Sequence, residues 1–132
     1  MKHFPSNRRF GILSTSGTRK AQIYPKAFQS HGIAVVEPSA QVQEVVHNTI
    51  YDPHFGLKAQ SNPVTSRARQ MIIDAISELK AEGAEAVVLA CTELPLAITE
   101  KTVSGMVIID PTVALARALI EAVNPKKLRP FD

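Results

Sequence analysis

The chain has 132 residues, 45% of them hydrophobic, with 15 Lys and Arg against 12 Asp and Glu. This length suffices for one domain with a substantial core, and no apolar run approaches the ~20 residues that cross a bilayer. The single cysteine excludes an internal disulfide, and the four histidines lack the spacing of metal ligands. Because the N-terminus also lacks the apolar segment of a secretory signal, we expect a cytoplasmic protein with no membrane span and no structural metal.

The net charge of +3 arises from basic residues near the two ends of the chain, and acids and bases nearly balance between them. A nucleic-acid-binding surface usually combines basic residues with interleaved aromatic side chains. Only 5% of the residues are aromatic and none is tryptophan. We therefore interpret the basic residues as solvated ends and expect no nucleic-acid partner.

The first half of the chain alternates between strand-like and helix-like patterns. The segment FGILST (10–15) predicts a strand, and a helix is predicted from about Thr18 to Ser30, interrupted or restarted at Pro25. A second strand, IAVVEP (33–38), leads into SAQVQEVVHNTIYD, whose apolar residues follow the i, i+3, i+4 spacing of a buried helical stripe. The irregular stretch PHFGLKAQSNP follows. A long helix is then predicted from about Val64 to Glu82, ended by Gly83.

The same alternation continues to the C-terminus. AEAVVLAC predicts a third strand, MVIID (106–110) a fourth, and PTVALARALIEAV a closing helix with Asp110 as N-cap and Pro111 in its first turn. The pattern predicts an α/β fold, with a doubly wound four-stranded parallel sheet and helices on both faces. We expect residues 1–132 to form one domain.

The closing helix is apolar almost all round. Between Val113 and Val123 only Arg117 and Glu121 are charged, and because they are four residues apart they share one narrow stripe. Such a helix is normally buried on more than one side, whereas the sheet can cover only one. We predict that the helix at 110–124 packs on a partner or exchanges between two copies, making a homodimer.

Ligands of parallel α/β sheets bind beyond the carboxyl ends of the strands. The segments that leave those ends here are STSGT, EPSAQ, CTELP and DPT. Three of the four carry a hydroxyl or an acid that suits a helix cap, and an ordinary cap is the simpler interpretation of each segment alone. The alternative is that together they line a small site for an anionic ligand.

Cys91 lies between the third strand and the next helix start. One interpretation is a small apolar core residue. The other is a reactive thiol whose pKa is lowered by the N-terminus of that helix. Thr92 is a candidate cap for the helix and Pro95 fits its first turn. Glu93 either complements the helix dipole or holds a substrate ammonium group or proton.

Two further segments could bind carboxylates. The hydroxyls of STSGT, which matches neither a dinucleotide-binding fingerprint nor a P-loop, suit a carboxylate that accepts hydroxyl and backbone N–H bonds. Lys58 lies in the irregular segment and matters only if that segment folds over the strand ends. There it would supply a cation for a second carboxylate.

Four blocks in order, GILSTSGT, GLKAQ, LKAEGAEAVVLACTELPLAI and IDPTVALARALI, resemble the second half of the aspartate/glutamate racemase family over residues 9–124. The CTELPL block with IDPT downstream is the most specific of them. The glutamate after Cys-Thr resembles the residue found in the aspartate or broad-specificity branch of the family, because glutamate racemases typically have a histidine at this position. The fold implied is the flavodoxin-like half of a two-domain racemase.

The resemblance implies racemisation of an acidic amino acid without a cofactor. In this family one cysteine thiolate removes the Cα proton and a second thiol returns a proton on the opposite face. Cys91 matches the second of these cysteines. By the same resemblance Thr15, Ser16 and Thr18 hold the α-carboxylate, Lys58 contacts the side-chain carboxylate, and Thr92 and Glu93 flank the thiol.

The sequence departs from the family in one large respect. Members are about twice this length, and their first half carries a GGMGP-like start and a PCNTAH-like block with the first cysteine, neither of which occurs here. Two-base inversion needs an acid on the opposite face, so a lone chain is expected to require a complementary racemase half or a second copy. The alternatives are a non-catalytic carboxylate-binding pseudoenzyme domain and a truncated racemase fragment.

Overall fold

A computed structural model describes residues 9–130. Two of the basic residues near the N-terminus, Lys2 and Arg8, lie outside this range. Across residues 9–130, no helix has both the length and the apolar character needed to cross a membrane. The strands are β1 (Arg9–Leu13), β2 (Ala34–Val36), β3 (Ala86–Leu89), β4 (Thr102–Val103) and β5 (Met106–Ile109). The helices are α1 (Ser16–Ala21), α2 (Ile23–Gln29), α3 (Ala40–Tyr51), α4 (Ser66–Ala81), α5 (Leu94–Ala97) and α6 (Pro111–Val123), followed by a 3₁₀ turn at Pro125–Lys127.

The sheet confirms the predicted α/β class and adds one strand to it. Its order is β2-β1-β3-β5-β4, and the four predicted strands β2, β1, β3 and β5 are parallel. The fifth strand, β4, is only two residues long and pairs antiparallel with β5. Ser104 and Gly105 join them with φ of 52° and 79°, the left-handed backbone of a tight hairpin. A two-residue strand leaves no periodic pattern, so the sequence did not predict it.

Alternating side chains of the central strands build a core on each face of the sheet. On one face Leu13, Val87 and Leu89 pack with the buried stripes of α3 and α4. On the other face Phe10 and Val88 pack toward α2, where Phe28 meets the Phe10 ring edge-on at 5.4 Å. The helices therefore lie on both faces, as predicted.

The predicted helix over Thr18 to Ser30 is two helices, and Pro25 explains where they separate. A proline ring clashes with the carbonyl four residues earlier, which here belongs to Ala21. Helix α1 ends at Ala21, and Gln22 takes a left-handed φ of 58° before α2 begins. Pro25 then occupies the first turn of α2, where its missing N–H costs nothing.

Helix α6 exposes its apolar side. None of its residues is buried, and Leu115, Leu119 and Val123 are 61%, 59% and 85% exposed. The charged stripe, Arg117 and Glu121, is only half-exposed. Within this chain the helix thus turns its polar stripe toward the domain and its apolar side outward, the reverse of a surface helix in a monomer.

Candidate active site

The site lies at the carboxyl ends of the two central strands. Leu13 of β1 pairs in register with Leu89 of β3, and the Ala90 N–H donates to the Leu13 carbonyl at 2.8 Å. Thr15 and Cys91 each stand two residues beyond this pair. Neighbouring strands are about 4.8 Å apart, so the two loops leave the sheet side by side.

Three of the four strand-end segments contain helix caps, and the fourth does not. Thr15 accepts from the Thr18 N–H, Ser39 from the Val42 N–H and Asp110 from the Thr112 N–H, at 3.3, 3.2 and 2.9 Å. The predicted cap at Thr92 is wrong, because α5 begins only at Leu94, without a side-chain cap. The Thr92 hydroxyl is directed elsewhere, to Glu93.

The Glu93 carboxylate joins three side chains of the predicted site. Its Oε2 accepts the Cys91 thiol at 3.0 Å and the Thr92 hydroxyl at 2.9 Å. Its Oε1 accepts the Lys58 ammonium at 2.7 Å. Both carboxylate oxygens are therefore occupied, and the thiol proton has a defined direction.

These contacts determine the charge state of each group. The hydrogen bonds from Cys91, Lys58 and Thr92 lower the pKa of Glu93 to about 2. The hydrogen bond to Glu93 raises the pKa of Lys58. Glu93 and Lys58 are thus an ion pair at neutral pH.

The predicted lowering of the Cys91 pKa is wrong. Burial raises the pKa of this thiol, and the adjacent Glu93 carboxylate raises it further. Helix α5 has only four residues and begins three positions after Cys91, so its dipole offers little compensation. Cys91 packs against the core on one side and contacts Glu93 on the other. It is therefore a protonated, hydrogen-bonded thiol at neutral pH.

Lys58 reaches the strand ends because its segment folds back on α3. The Leu57 N–H donates to the Thr49 carbonyl at 2.9 Å, and the Lys58 N–H to the Ile50 carbonyl at 3.1 Å. Leu57 is fully buried and anchors this return. The segment that carries Lys58 therefore folds over the strand ends, which is the arrangement that Lys58 needs to have a role at the site.

The hydroxyl loop, residues 15–18, has contacts of its own. The Thr15 hydroxyl donates to the Thr18 hydroxyl at 3.2 Å. The Ser16 N–H donates to Nδ1 of His47 at 3.1 Å. The two threonine hydroxyls thus form one cluster, while the first N–H of α1 already has an acceptor.

His47 and Tyr51 are site residues that the sequence reasoning missed. Their rings lie 4.7 Å apart on the same face of α3, and the Lys58 ammonium stands 5.4 Å from the Tyr51 ring centre. Both residues line a cavity of about 440 Å³ with Asp52 and Arg67. The spacing of four residues in HNTIY places the two rings on one face of a helix, but this spacing alone does not indicate a functional site.

The arrangement suits proton transfer beside a carboxylate. In residues 9–130, no three His, Cys, Asp or Glu side chains are grouped to hold a metal ion. The site offers one thiol, one ion pair and a pair of hydroxyls at adjacent strand ends. Fold and site together define an α/β domain with a thiol-containing candidate site at the carboxyl ends of its parallel strands.

Comparison with known proteins identifies the family. Residues 1–119 match the family model described as Asp/Glu/Hydantoin racemase, and the chain belongs to this family. A glutamate racemase from Pediococcus pentosaceus is 24% identical over 127 residues, which are 93% of this chain and 44% of that protein. An uncharacterised Pectobacterium carotovorum protein is 29% identical over 122 residues, covering 92% of this chain and 76% of that protein.

Solved structures agree with this assignment. An aspartate racemase from Picrophilus torridus superposes with a TM-score of 0.69 at 30% identity, covering 89% of this chain and 46% of that one. An aspartate racemase homologue from Pyrococcus horikoshii gives a TM-score of 0.71 at 30% identity, with 89% and 49% covered. The chain spans about half the length of these racemases, which fits the C-terminal half that the motifs indicated.

Proposed function

We propose that this chain carries out cysteine-mediated proton transfer at Cα of an acidic amino acid, as one half of a cofactor-independent racemase site. The observation that carries the proposal is the Glu93 carboxylate, which accepts the Cys91 thiol at 3.0 Å and the Lys58 ammonium at 2.7 Å. A thiol and a cation are thereby held in one cluster. Membership of the racemase family supports the reaction class.

The roles of the side chains follow from their charge states. Thr15, Ser16 and Thr18 bind the α-carboxylate, and Lys58 turns from Glu93 to the side-chain carboxylate. Glu93, released from Lys58, receives the substrate ammonium. A carboxylate with a pKa of about 2 is a far weaker base than a thiolate, so Glu93 directs the thiol proton without taking it up.

Cys91 acts as acid when protonated and as base when ionised. As a thiolate it takes the Cα proton and becomes a thiol, leaving the electron pair at Cα in conjugation with the α-carboxylate. The thiol then exchanges its proton with water and returns one to the same face of Cα. With one cysteine in the chain, the product of this cycle is hydrogen exchange with retention of configuration.

Incubation of the purified chain with L-aspartate in D2O tests the proposal. Deuterium is expected to enter Cα while D-aspartate stays undetected, and Cys91→Ser is expected to abolish the incorporation. Ser30→Ala, at the exposed end of α2, is the control and should exchange like the wild type. Efficient formation of D-aspartate by this chain alone would show that a second acid is present, and a partner copy's thiol would then be the first candidate.

A second candidate function is carboxylate binding without turnover, in a pseudoenzyme domain. The raised pKa of Cys91 favours it, because little thiolate is present at neutral pH to start the reaction. Aspartate binding seen by calorimetry, without deuterium incorporation, would support this alternative. A chain that neither binds aspartate nor unfolds cooperatively would instead behave as a racemase fragment.

We also propose that α6 docks on a second copy of the chain. Its exposed side carries Leu115, Leu119 and Val123, and a 13-residue helix presents a strip about 20 Å long. Monomers rarely expose an apolar patch on the order of several hundred Å². The racemases compared above are about twice as long as this chain. A second copy of the chain is an α/β unit of about the size of their additional part. A complementary racemase half is the alternative occupant, which a dimer measurement distinguishes.

A further inference from the structure

An unbroken series of contacts joins the two parts of the site through α3. The Ser16 N–H donates to His47 at 3.1 Å, and the His47 ring lies 4.7 Å from that of Tyr51. The Lys58 ammonium is 5.4 Å from the Tyr51 ring centre, within cation–π range, and 2.7 Å from Glu93. The hydroxyl loop and the thiol cluster are thus connected by two side chains of one helix.

The hydrogen bond fixes which nitrogen of His47 carries its proton. Nδ1 accepts the Ser16 N–H, so the neutral ring carries its proton on Nε2. A protonated imidazole donates from both nitrogens and cannot accept this N–H. Protonation of His47 therefore breaks its bond to the hydroxyl loop.

We propose that His47 is a positioning residue, which in its neutral form holds the hydroxyl loop at the correct place for a substrate α-carboxylate. This inference rests on the proposed function. Nδ1 of His47 accepts the N–H of Ser16 from α1, and the His47 ring lies against the ring of Tyr51 from its own helix. The hydroxyl loop is thereby attached to α3, the helix whose Tyr51 contacts Lys58. This attachment keeps the distance between the hydroxyl loop and Lys58 constant.

Three charged side chains lie near His47 and Tyr51. Asp52 and Arg67 line the cavity next to its ring, and Lys58 lies beyond Tyr51. Hydrogen bonds from the backbone N–H groups of Phe55 and His54 lower the pKa of Asp52, and the Lys58 pKa is raised. Arginine is always charged in proteins. Asp52, Arg67 and Lys58 are therefore all charged at neutral pH.

Two substitutions separate the acceptor from the ring. His47→Asn places an amide oxygen where Nδ1 stands and cannot be protonated, whereas His47→Phe keeps the ring against Tyr51 and removes the acceptor. We expect His47→Phe to weaken L-aspartate binding about tenfold at pH 8, because a partly buried N–H loses its partner. We expect His47→Asn to bind within about threefold of the wild type.

Nuclear magnetic resonance provides a readout that does not depend on substrate. The imidazole ¹⁵N shifts should report a proton on Nε2, and the Ser16 amide should shift in His47→Phe while staying close to its wild-type position in His47→Asn. Asn48→Ala, the neighbouring exposed residue of α3, is the control for both measurements.

A proton on Nδ1, an unmoved Ser16 amide in His47→Phe, or equal aspartate affinity in all variants would overturn the proposal. If the wild type binds no aspartate, the proposed function fails. The position of the Ser16 amide then decides alone whether His47 holds the loop.

Discussion

The thiol of Cys91 donates a hydrogen bond of 3.0 Å to Oε2 of Glu93, two residues along the chain, while Lys58 pairs with the other oxygen. The carboxylate is therefore shared between the group proposed to move a proton and the cation proposed to bind substrate. The pKa of the thiol therefore depends on Glu93, and the pKa of Glu93 depends on both Cys91 and Lys58.

The ionisation of Cys91 is the most direct test of this coupling. We expect its alkylation by iodoacetamide to follow a pKa above that of a free thiol, because burial and the Glu93 carboxylate both disfavour the thiolate. Glu93→Gln removes the negative charge and should shift the rate profile to lower pH. Glu100→Gln, which removes a carboxylate paired with Arg69, is the matched control and should leave the profile unchanged. A wild-type profile below the free-thiol range would contradict the geometry.

Glu93 should also leave a signature in acid stability. Its pKa is lowered from 4.5 to about 2, so its stabilising contribution is complete above about 4.5 and is lost as pH falls toward about 2. Because the pair is partly solvated, Glu93→Gln should cost about 1 kcal/mol or less at pH 7. Urea unfolding at both ends of this range measures the difference between variant and wild type. A difference that does not shrink as the pH falls through this range would show that Glu93 stabilises the fold by something other than its charge.

Helix α6 should be the seam of a homodimer. Leu119→Lys places a charge in the centre of the exposed apolar side and should convert a dimer to a monomer in light scattering. Ile23→Lys is the matched control, since Ile23 is 56% exposed but lies on α2. A wild type that is already monomeric and freely soluble at micromolar concentration would exclude this interface.

Gly83 should be the least replaceable residue at the end of α4. It has a φ of +97°, which side chains other than glycine adopt at a cost, and an added Cβ would stand 2.6 Å from Nη1 of Arg9. Gly83→Ala is expected to lower the free energy of unfolding by about 1–2 kcal/mol. Gly17→Ala is the control, because a Cβ there meets nothing within 4 Å and lies in a helix. Thermal and urea unfolding of both variants provide the comparison.

Much of the fold was predictable from local patterns. The buried stripe of α4, the Gly83 stop, the Asp110 cap and the four parallel strands all follow from side-chain periodicity and helix-end chemistry. These features depend on residues within a few positions of one another. The sequence predicts an interruption of the first helix at Pro25, whereas the helix ends a few residues earlier, at Ala21. The reason is that the proline ring clashes with the carbonyl of Ala21, one turn before it.

The charge state and connections of the site were decided by the tertiary structure. A helix start beside Cys91 suggested a lowered pKa, yet burial against the core and the Glu93 carboxylate raise it. His47 contacts the hydroxyl loop because α3 packs beside it. Tyr51 contacts Lys58 because the segment after α3 folds back and places the Lys58 ammonium over the Tyr51 ring. Sequence determines which groups are available and how each element begins and ends. Desolvation and contacts between distant residues, which set pKa values, exist only once the elements have packed.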